Sequence, residues 1–218
     1  MTEISTTRDE RIAAFKSEVK NYLDYISCLD SVRSRYEIIC LDFLAKRYTE
    51  PHRHYHGTSH ILRLLELAKT MNILDFTMFE NILWHDAYYI PTLLPGENER
   101  ISSDIYESYT YPKSNEVVVK AIRATFCHWL SDNDKLPVES RLFLDLDLYD
   151  LGTEMFWVNN LKIEQETLPF TTKEAFQKGR QAFLKHLLEI PRIYRIMNFL
   201  EEPARRNIRE FLGENYVE

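Results

Sequence analysis

The sequence predicts an all-α protein of roughly nine or ten helices, and three observations predict it. Apolar residues recur with a period near 3.6 along most of the chain. Only five glycines occur in 218 residues, too few for the many tight turns of an all-β fold. The breaks between periodic stretches carry Pro, Gly and capping residues, the punctuation of helices. The length suits one domain with its own core. We expect that domain to span 1–218, with a motif-bearing core at about 48–152 and C-terminal helices over 153–218 packed on it.

The first helix is predicted from about Arg8 to Leu29, with Ile12, Phe15, Val19 and Leu23 on one face. A second runs from about Ser31 to Arg47 and carries Tyr36, Ile39, Cys40, Phe43 and Leu44. The pattern stops at YTEPHRHYHG, residues 48–57, which reads as a loop. Thr58 or Ser59 can cap the next helix, whose face is Ile61, Leu64, Leu65, Ala68 and Met71. Asp75 can cap a further helix through Phe79, Ile82, Leu83 and Trp84. That helix ends near His85-Asp86, before a loop with Pro91, Pro95 and Gly96. Helices follow from Asn98 to Tyr109 and from Ser114 to about His128. Pro137 suits the first turn of a helix through RLFLDLDLYDLG, with Gly152 as its C-terminal stop. The alternation of Leu or Phe with Asp over Leu142 to Leu148 also fits a short strand. Helix is preferred because the neighbours are helical and no partner strand is evident. Helix resumes from Thr153 to about Glu166. Thr171 to Glu174 has capping-box spacing ahead of a long helix through Phe183 and Leu187, and Pro191 and Pro203 punctuate the remainder.

The formal net charge of −7 gives no non-specific attraction to nucleic acid. The basic residues of the last third, among them Lys178, Arg180, Lys185 and Arg192, read as solvated helix faces. Three cysteines without paired spacing read as reduced thiols of a cytoplasmic protein. The N-terminal MTEISTTRDER has no apolar signal core, and no run approaches the ~18 apolar residues of a membrane span.

Four of the seven histidines, His52, His54, His56 and His60, crowd into nine residues. Imidazole is the commonest neutral metal ligand and titrates near neutrality. His56 and His60 are spaced to share one site, although an exposed His-rich loop would look the same. His85-Asp86 follows the apolar Ile82-Leu83-Trp84. A carboxylate after a buried turn needs a partner, and a metal can be one; a surface helix end is the bland alternative. Asp145 and Asp147 lie among leucines. Each helical step turns by about 100°, so the two cannot face one spot. One is a ligand and the other a supporting group or cap, unless both lie on an exposed stripe. Two His and two Asp suit Mn²⁺, Fe²⁺, Co²⁺, Ni²⁺ or Zn²⁺ better than Mg²⁺ alone. The absence of Cys near these elements argues against structural zinc.

The ordered set His60, His85-Asp86 and Asp147 resembles the H…HD…D signature of the HD superfamily of metal-dependent phosphohydrolases. The fuller string RHYHGTSHI, WHDAYY, a following NER and FLDLDLYDLG is similar to a stand-alone HD phosphohydrolase subgroup, from about Tyr48 to EEPARRNIRE. The resemblance implies an HD-domain helical bundle with metal ligands His60, His85, Asp86 and Asp147, Asp145 being the alternative to Asp147. It implies hydrolysis of a phosphate ester or anhydride, of a nucleotide or another small phosphorylated metabolite. Tyr55 to His60 also resembles the YHNxxH motif of cyclic-nucleotide phosphodiesterases, where the earlier His protonates the leaving oxygen. His56 is therefore the candidate general acid. Gly57 replaces the Asn of that motif and the rest of the larger catalytic domain is missing, so cyclic-nucleotide specificity does not carry over.

Around this set, Glu99 is expected to orient or deprotonate the attacking water, its alternative being a first-turn acid favoured by the helix dipole. His128 is expected to bind phosphate or a second metal, or else to sit at a helix end against carbonyls. Arg53 and Arg180 are expected to contact phosphate, Gly179 allowing close approach beside Arg180. Asp145 is expected to support the ligands from behind. A homodimer contact could use Trp157, Phe199 and Tyr216. Two other readings compete. A di-iron HD-type oxygenase needs extra histidines between the HD pair and the last Asp, where only His128 stands. A non-catalytic nucleotide-binding regulator has no chemical need for four ligands.

Overall fold

A computed structural model describes residues 6–26, 33–34, 36–110 and 114–213. Among them are ten α-helices and no strand. They are α1 (Arg8–Tyr25), α2 (Leu41–Tyr48), α3 (Thr58–Thr70), α4 (Phe76–Trp84) and α5 (Glu97–Thr110), then α6 (Glu116–Ala124), α7 (Val138–Asp147), α8 (Met155–Thr167), α9 (Lys173–Glu189) and α10 (Glu201–Leu212). The ambiguous segment around Asp145 is thus helical, in α7. Leu29, Ser31, Cys28 and Tyr216, on which sequence expectations fell, lie outside the described residues.

Several helix boundaries differ from expectation for local reasons. A π-turn, Tyr36–Cys40, precedes α2. It buries Tyr36 and Cys40 but leaves Ile39 53% exposed, off the expected core face. Gly57, not Thr58 or Ser59, is the cap of α3, without a side-chain hydrogen bond. A Cβ at Gly57 would meet the backbone oxygens of Arg53 at 3.0 Å and Tyr48 at 3.2 Å, so the chain can turn into α3 there only without a side chain. Asn115 caps α6 in place of Ser114, and the helix gives way to a 3₁₀ turn at Thr125–Cys127. Thr172, accepting from the Ala175 N–H, replaces the expected capping box. Gly152 closes a 3₁₀ turn, Tyr149–Gly152, and Leu200 packs where its Cβ would stand, at 3.0–3.1 Å. It serves close packing, not a left-handed cap. Asp75 caps α4 as expected, accepting from Met78 N–H at 2.7 Å.

The core is organised around α4, in which every residue from Met78 to Trp84 is buried. A helix apolar on nearly all sides must be central, and α4 packs against α3, α5, α6 and α7. Burying each of Phe79, Ile82 and Leu83 contributes about 1.5–3 kcal/mol. Glu80 on this helix would be costly to bury alone. It accepts hydroxyl bonds from Tyr36 at 2.9 Å and Tyr106 at 3.0 Å. The α8–α10 segment covers the end of α7: α10 packs on the Tyr149–Gly152 turn and on α9. This arrangement brings the start of α3 and the C-terminal ends of α4 and α7 to one place. No described helix is long and apolar enough to cross a membrane.

Candidate metal centre

His60 lies in the first turn of α3, His85 is the C-terminal cap of α4, and Asp147 ends α7. The His60 Nε2 lies 3.3 Å from His85 Nε2 and 3.2 Å from Asp147 Oδ1. One donor atom from each of the three falls within 4.8 Å of the others. His85 Nδ1 is 3.0 Å from the Ile82 carbonyl. A bond to a carbonyl needs the proton on Nδ1, which turns the other nitrogen toward the cluster. Asp86 Oδ2 lies 3.0 Å from His85 Nε2 and 3.9 Å from His60 Nε2. That oxygen is buried, and the two histidines are the polar groups it faces. Two imidazoles and two carboxylates converging in this way fit a divalent cation.

The electrostatics agree with this fit. Burial opposes charge on His85, but the carboxylates of Asp86 and Asp147 override it and hold its pKa well above the ordinary value. Burial likewise raises both carboxyls, yet the histidines, His85 foremost, hold Asp86 and Asp147 below the usual range. In the absence of a metal, a proton on His85 is therefore what compensates the two acids.

His128 Nε2 lies 2.9 Å from Asp147 Oδ2, so the Asp147 carboxylate is shared between the His60–His85 pair and His128. Glu99, in the first turn of α5, is not a solvated dipole-stabilising acid. Its Oε2 is buried and unpartnered. Burial and then the charge of Asp86 raise its pKa, against His128 and His56. His56 Nδ1 lies 2.5 Å from Glu166 Oε1, and Tyr89 stacks on its ring with centroids 3.9 Å apart. Burial lowers the pKa of His56, but Glu166 outweighs it and the net shift is upward.

Two expected roles are corrected. The Asp145 carboxylate does not support the ligands. It accepts the backbone N–H groups of Arg195, Ile196 and Met197 at 2.6–2.9 Å, and so pins the segment before α10 to α7. Arg53 is not placed to take phosphate. Its fully buried side chain donates to Glu50 at 3.0 Å and to the carbonyls of His56 at 3.1 Å and Asp86 at 2.6 Å. It ties the His-rich loop to the His85-Asp86 turn. Of the other loop histidines, His52 contacts the Tyr89 carbonyl at 3.1 Å and His54 is exposed.

Arg180 does line the cavity beside the cluster, which measures about 320 Å³ and also takes in His56, His128 and Asp147. The space around Gly179 is open, so that glycine is not what admits a ligand. Sequence reasoning missed Glu166, Tyr89 and Asn160, whose Oδ1 accepts from Arg180 Nε at 2.7 Å. No spacing signals Glu166 and Asn160, since α8 reaches the site only through the tertiary fold; Tyr89 lies three residues after Asp86, where that closeness to the HD pair was the one available signal.

The chain matches no protein-family model, no curated protein and no solved structure. The fold and site define an all-helical protein with a His/Asp group that could hold a metal ion.

Proposed function

We propose that this protein is a metal-dependent phosphohydrolase of the HD type, acting on a small phosphorylated metabolite such as a nucleotide. One observation carries the reading. His60, His85 and Asp147 offer converging donor atoms beside the buried Asp86 carboxylate, and a cavity lined by Asp147, His56 and His128 adjoins them. His60, His85, Asp86 and Asp147 would hold the cation. When bound, a divalent cation lowers the pKa of a water and offsets charge on the phosphoryl oxygens.

The remaining work falls to the chain. His56, whose pKa Glu166 raises against burial, donates a proton to the leaving oxygen. Glu99 accepts a proton from the attacking water, its raised pKa making it a better base near neutrality. Arg180 forks onto phosphate oxygens. His128 holds Asp147 from its second oxygen. The mixed N/O donors favour Mn²⁺, Fe²⁺, Co²⁺, Ni²⁺ or Zn²⁺ over Mg²⁺. The free thiol of Cys127 suits a reducing compartment such as the cytoplasm.

The test is phosphate release from nucleoside mono-, di- and triphosphates, cyclic nucleotides and sugar phosphates, with Mn²⁺, Co²⁺ or Mg²⁺. The blank is the His85→Ala/Asp86→Ala double variant. Metal bound near one equivalent and release confined to the wild type are expected. Equal release from both proteins, or no bound metal, refutes the proposal.

A further inference from the structure

The cavity beside the cluster has walls of a particular chemistry. Resting on the hydrolase reading, we infer that the substrate is a small phosphate monoester whose organic part is a flat, largely apolar ring, with Arg180 gripping the phosphate. Arg180 extends from α9, and its guanidinium rests on the Phe183 ring at 5.1 Å. Its Nε donates to Asn160, and no carboxylate among the described residues pairs with it. The one other acid in the wall besides Asp147, Asp150, is already held by Arg63 at 2.7 Å. A half-buried cation without a counter-ion calls for an anion. The two outer guanidinium nitrogens match two phosphate oxygens.

Most of the rest of the wall is aromatic, with Tyr55, Tyr89, Phe126, Trp129, Phe156 and Phe183, and the aliphatic Leu148, Leu151 and Ile163 complete its apolar part. Apart from the Tyr55 and Tyr89 hydroxyls, its hydroxyl and amide side chains are already engaged. Thr125 donates to the Ile122 carbonyl at 2.7 Å, and Asn159 donates to Asp150 at 3.1 Å. A polyol would therefore bring hydroxyls that find few partners, whereas a flat ring finds faces and edges to pack on. The volume of about 320 Å³ is at the low end of the roughly 300–1,000 Å³ of ligand pockets. It suits one ring system and a phosphate, not a dinucleotide or an oligonucleotide.

The experiment titrates the full-length, Mn²⁺-loaded protein with non-hydrolysable phosphonates in a calorimeter. The probes are benzylphosphonate, methylphosphonate, 3,4-dihydroxybutylphosphonate and the 5′-phosphonate analogue of adenosine. Benzylphosphonate is expected to bind at least tenfold more tightly than the methyl and dihydroxybutyl compounds. Tighter binding still by the adenosine analogue makes the ring a nucleobase; weaker binding makes it a simple aromatic alcohol. Arg180→Gln is expected to weaken every phosphonate about tenfold with metal content unchanged. Phe126→Leu, at a residue 40% exposed and so of little risk to folding, should narrow the benzyl preference alone, and Trp129→Leu should narrow it further. Equal affinities for benzyl- and methylphosphonate, or an Arg180→Gln protein that binds like wild type, overturn this inference and leave the hydrolase reading standing. Bound metal with no phosphonate binding overturns both.

Discussion

His56 and Glu166 stand 2.5 Å apart, Nδ1 to Oε1, although 110 residues separate them in the chain. The other oxygen of the same carboxylate accepts the backbone N–H groups of Tyr55 at 3.0 Å and His56 at 2.9 Å. Glu166 thus fixes both the loop and the ring it carries. It also supplies the charge that overrides burial and raises the His56 pKa. Glu166→Gln keeps the shape and removes that charge. In the metal-loaded protein kcat is expected to fall about 100-fold or more, since general acid catalysis contributes roughly 10²–10⁴. The basic limb of the pH–rate profile should move to lower pH, because His56 then loses its proton earlier. A basic limb that stays in place would take His56 out of the acid role.

The same pair sets a pH window for stability. The folded pKa of His56 lies above the ordinary 6.5, so its contribution is complete below that value and is lost as pH rises through the folded pKa. The folded pKa of Glu166 lies below the ordinary 4.5, so its contribution is complete above that value and is lost as pH falls through the folded pKa. Urea unfolding in EDTA should therefore show the largest gap between wild type and Glu166→Gln between pH 4.5 and 6.5. The gap should shrink on both sides. A gap independent of pH would mean that the carboxylate acts only as a backbone acceptor.

The crowding of histidines made His60 legible, and the surrounding apolar helical stretches did the same for His85 and the Asp145/Asp147 pair. The same pattern could show that Asp145 and Asp147 point apart, but not which of them faces the histidines. That depends on the backbone at Arg195 to Met197, which arrives from another part of the chain and needs an acceptor. Arg53 misled because a loop arginine reads as free. Its burial is set by carbonyls of Asp86 and Ala87 that no local pattern can show. Helix existence was read well, whereas caps such as Gly57 and Asn115 were missed, because neighbouring residues compete for the same role.

The two aspartates of α7 should separate stability from metal binding. Asp145→Asn weakens charge-assisted bonds to three backbone N–H groups, and a loss of about 2–4 kcal/mol is expected. Metal content per folded molecule should be unchanged. Asp147→Asn should leave the helical circular dichroism intact and abolish stoichiometric Mn²⁺ binding. The thermal stabilisation by metal should vanish with it, about 2.7 kcal/mol at 100 times the Kd. The reverse pattern would place the ligand at Asp145.

Arg53→Ala removes a buried cation from Glu50 and from the carbonyls of His56 and Asp86. Losing these three hydrogen bonds from a charged group costs about 3–5 kcal/mol together. For a chain of this length that corresponds to a fall in Tm of roughly 6–20 °C. If Arg53 bound phosphate instead, the variant would melt like wild type and show a raised KM alone.

Metal binding should be coupled to a proton on His85. Without metal, the raised pKa of His85 keeps its imidazole charged between Asp86 and Asp147, and its Nε2 cannot act as a ligand while it carries that proton. A cation must displace it. Below the raised pKa the apparent affinity should climb by up to tenfold per pH unit, and above it the slope should flatten. Calorimetric titration of Mn²⁺ in two buffers of different ionisation enthalpy would count the protons, with about one released per ion. His85→Gln cannot carry that proton, so any residual Mn²⁺ binding in that variant should lose most of the slope. Asp86→Asn removes one of the two charges that raise the His85 pKa, so its slope should flatten at lower pH than in the wild type. An affinity independent of pH in the wild type would show that His85 is not among the ligands, whatever its distance from His60.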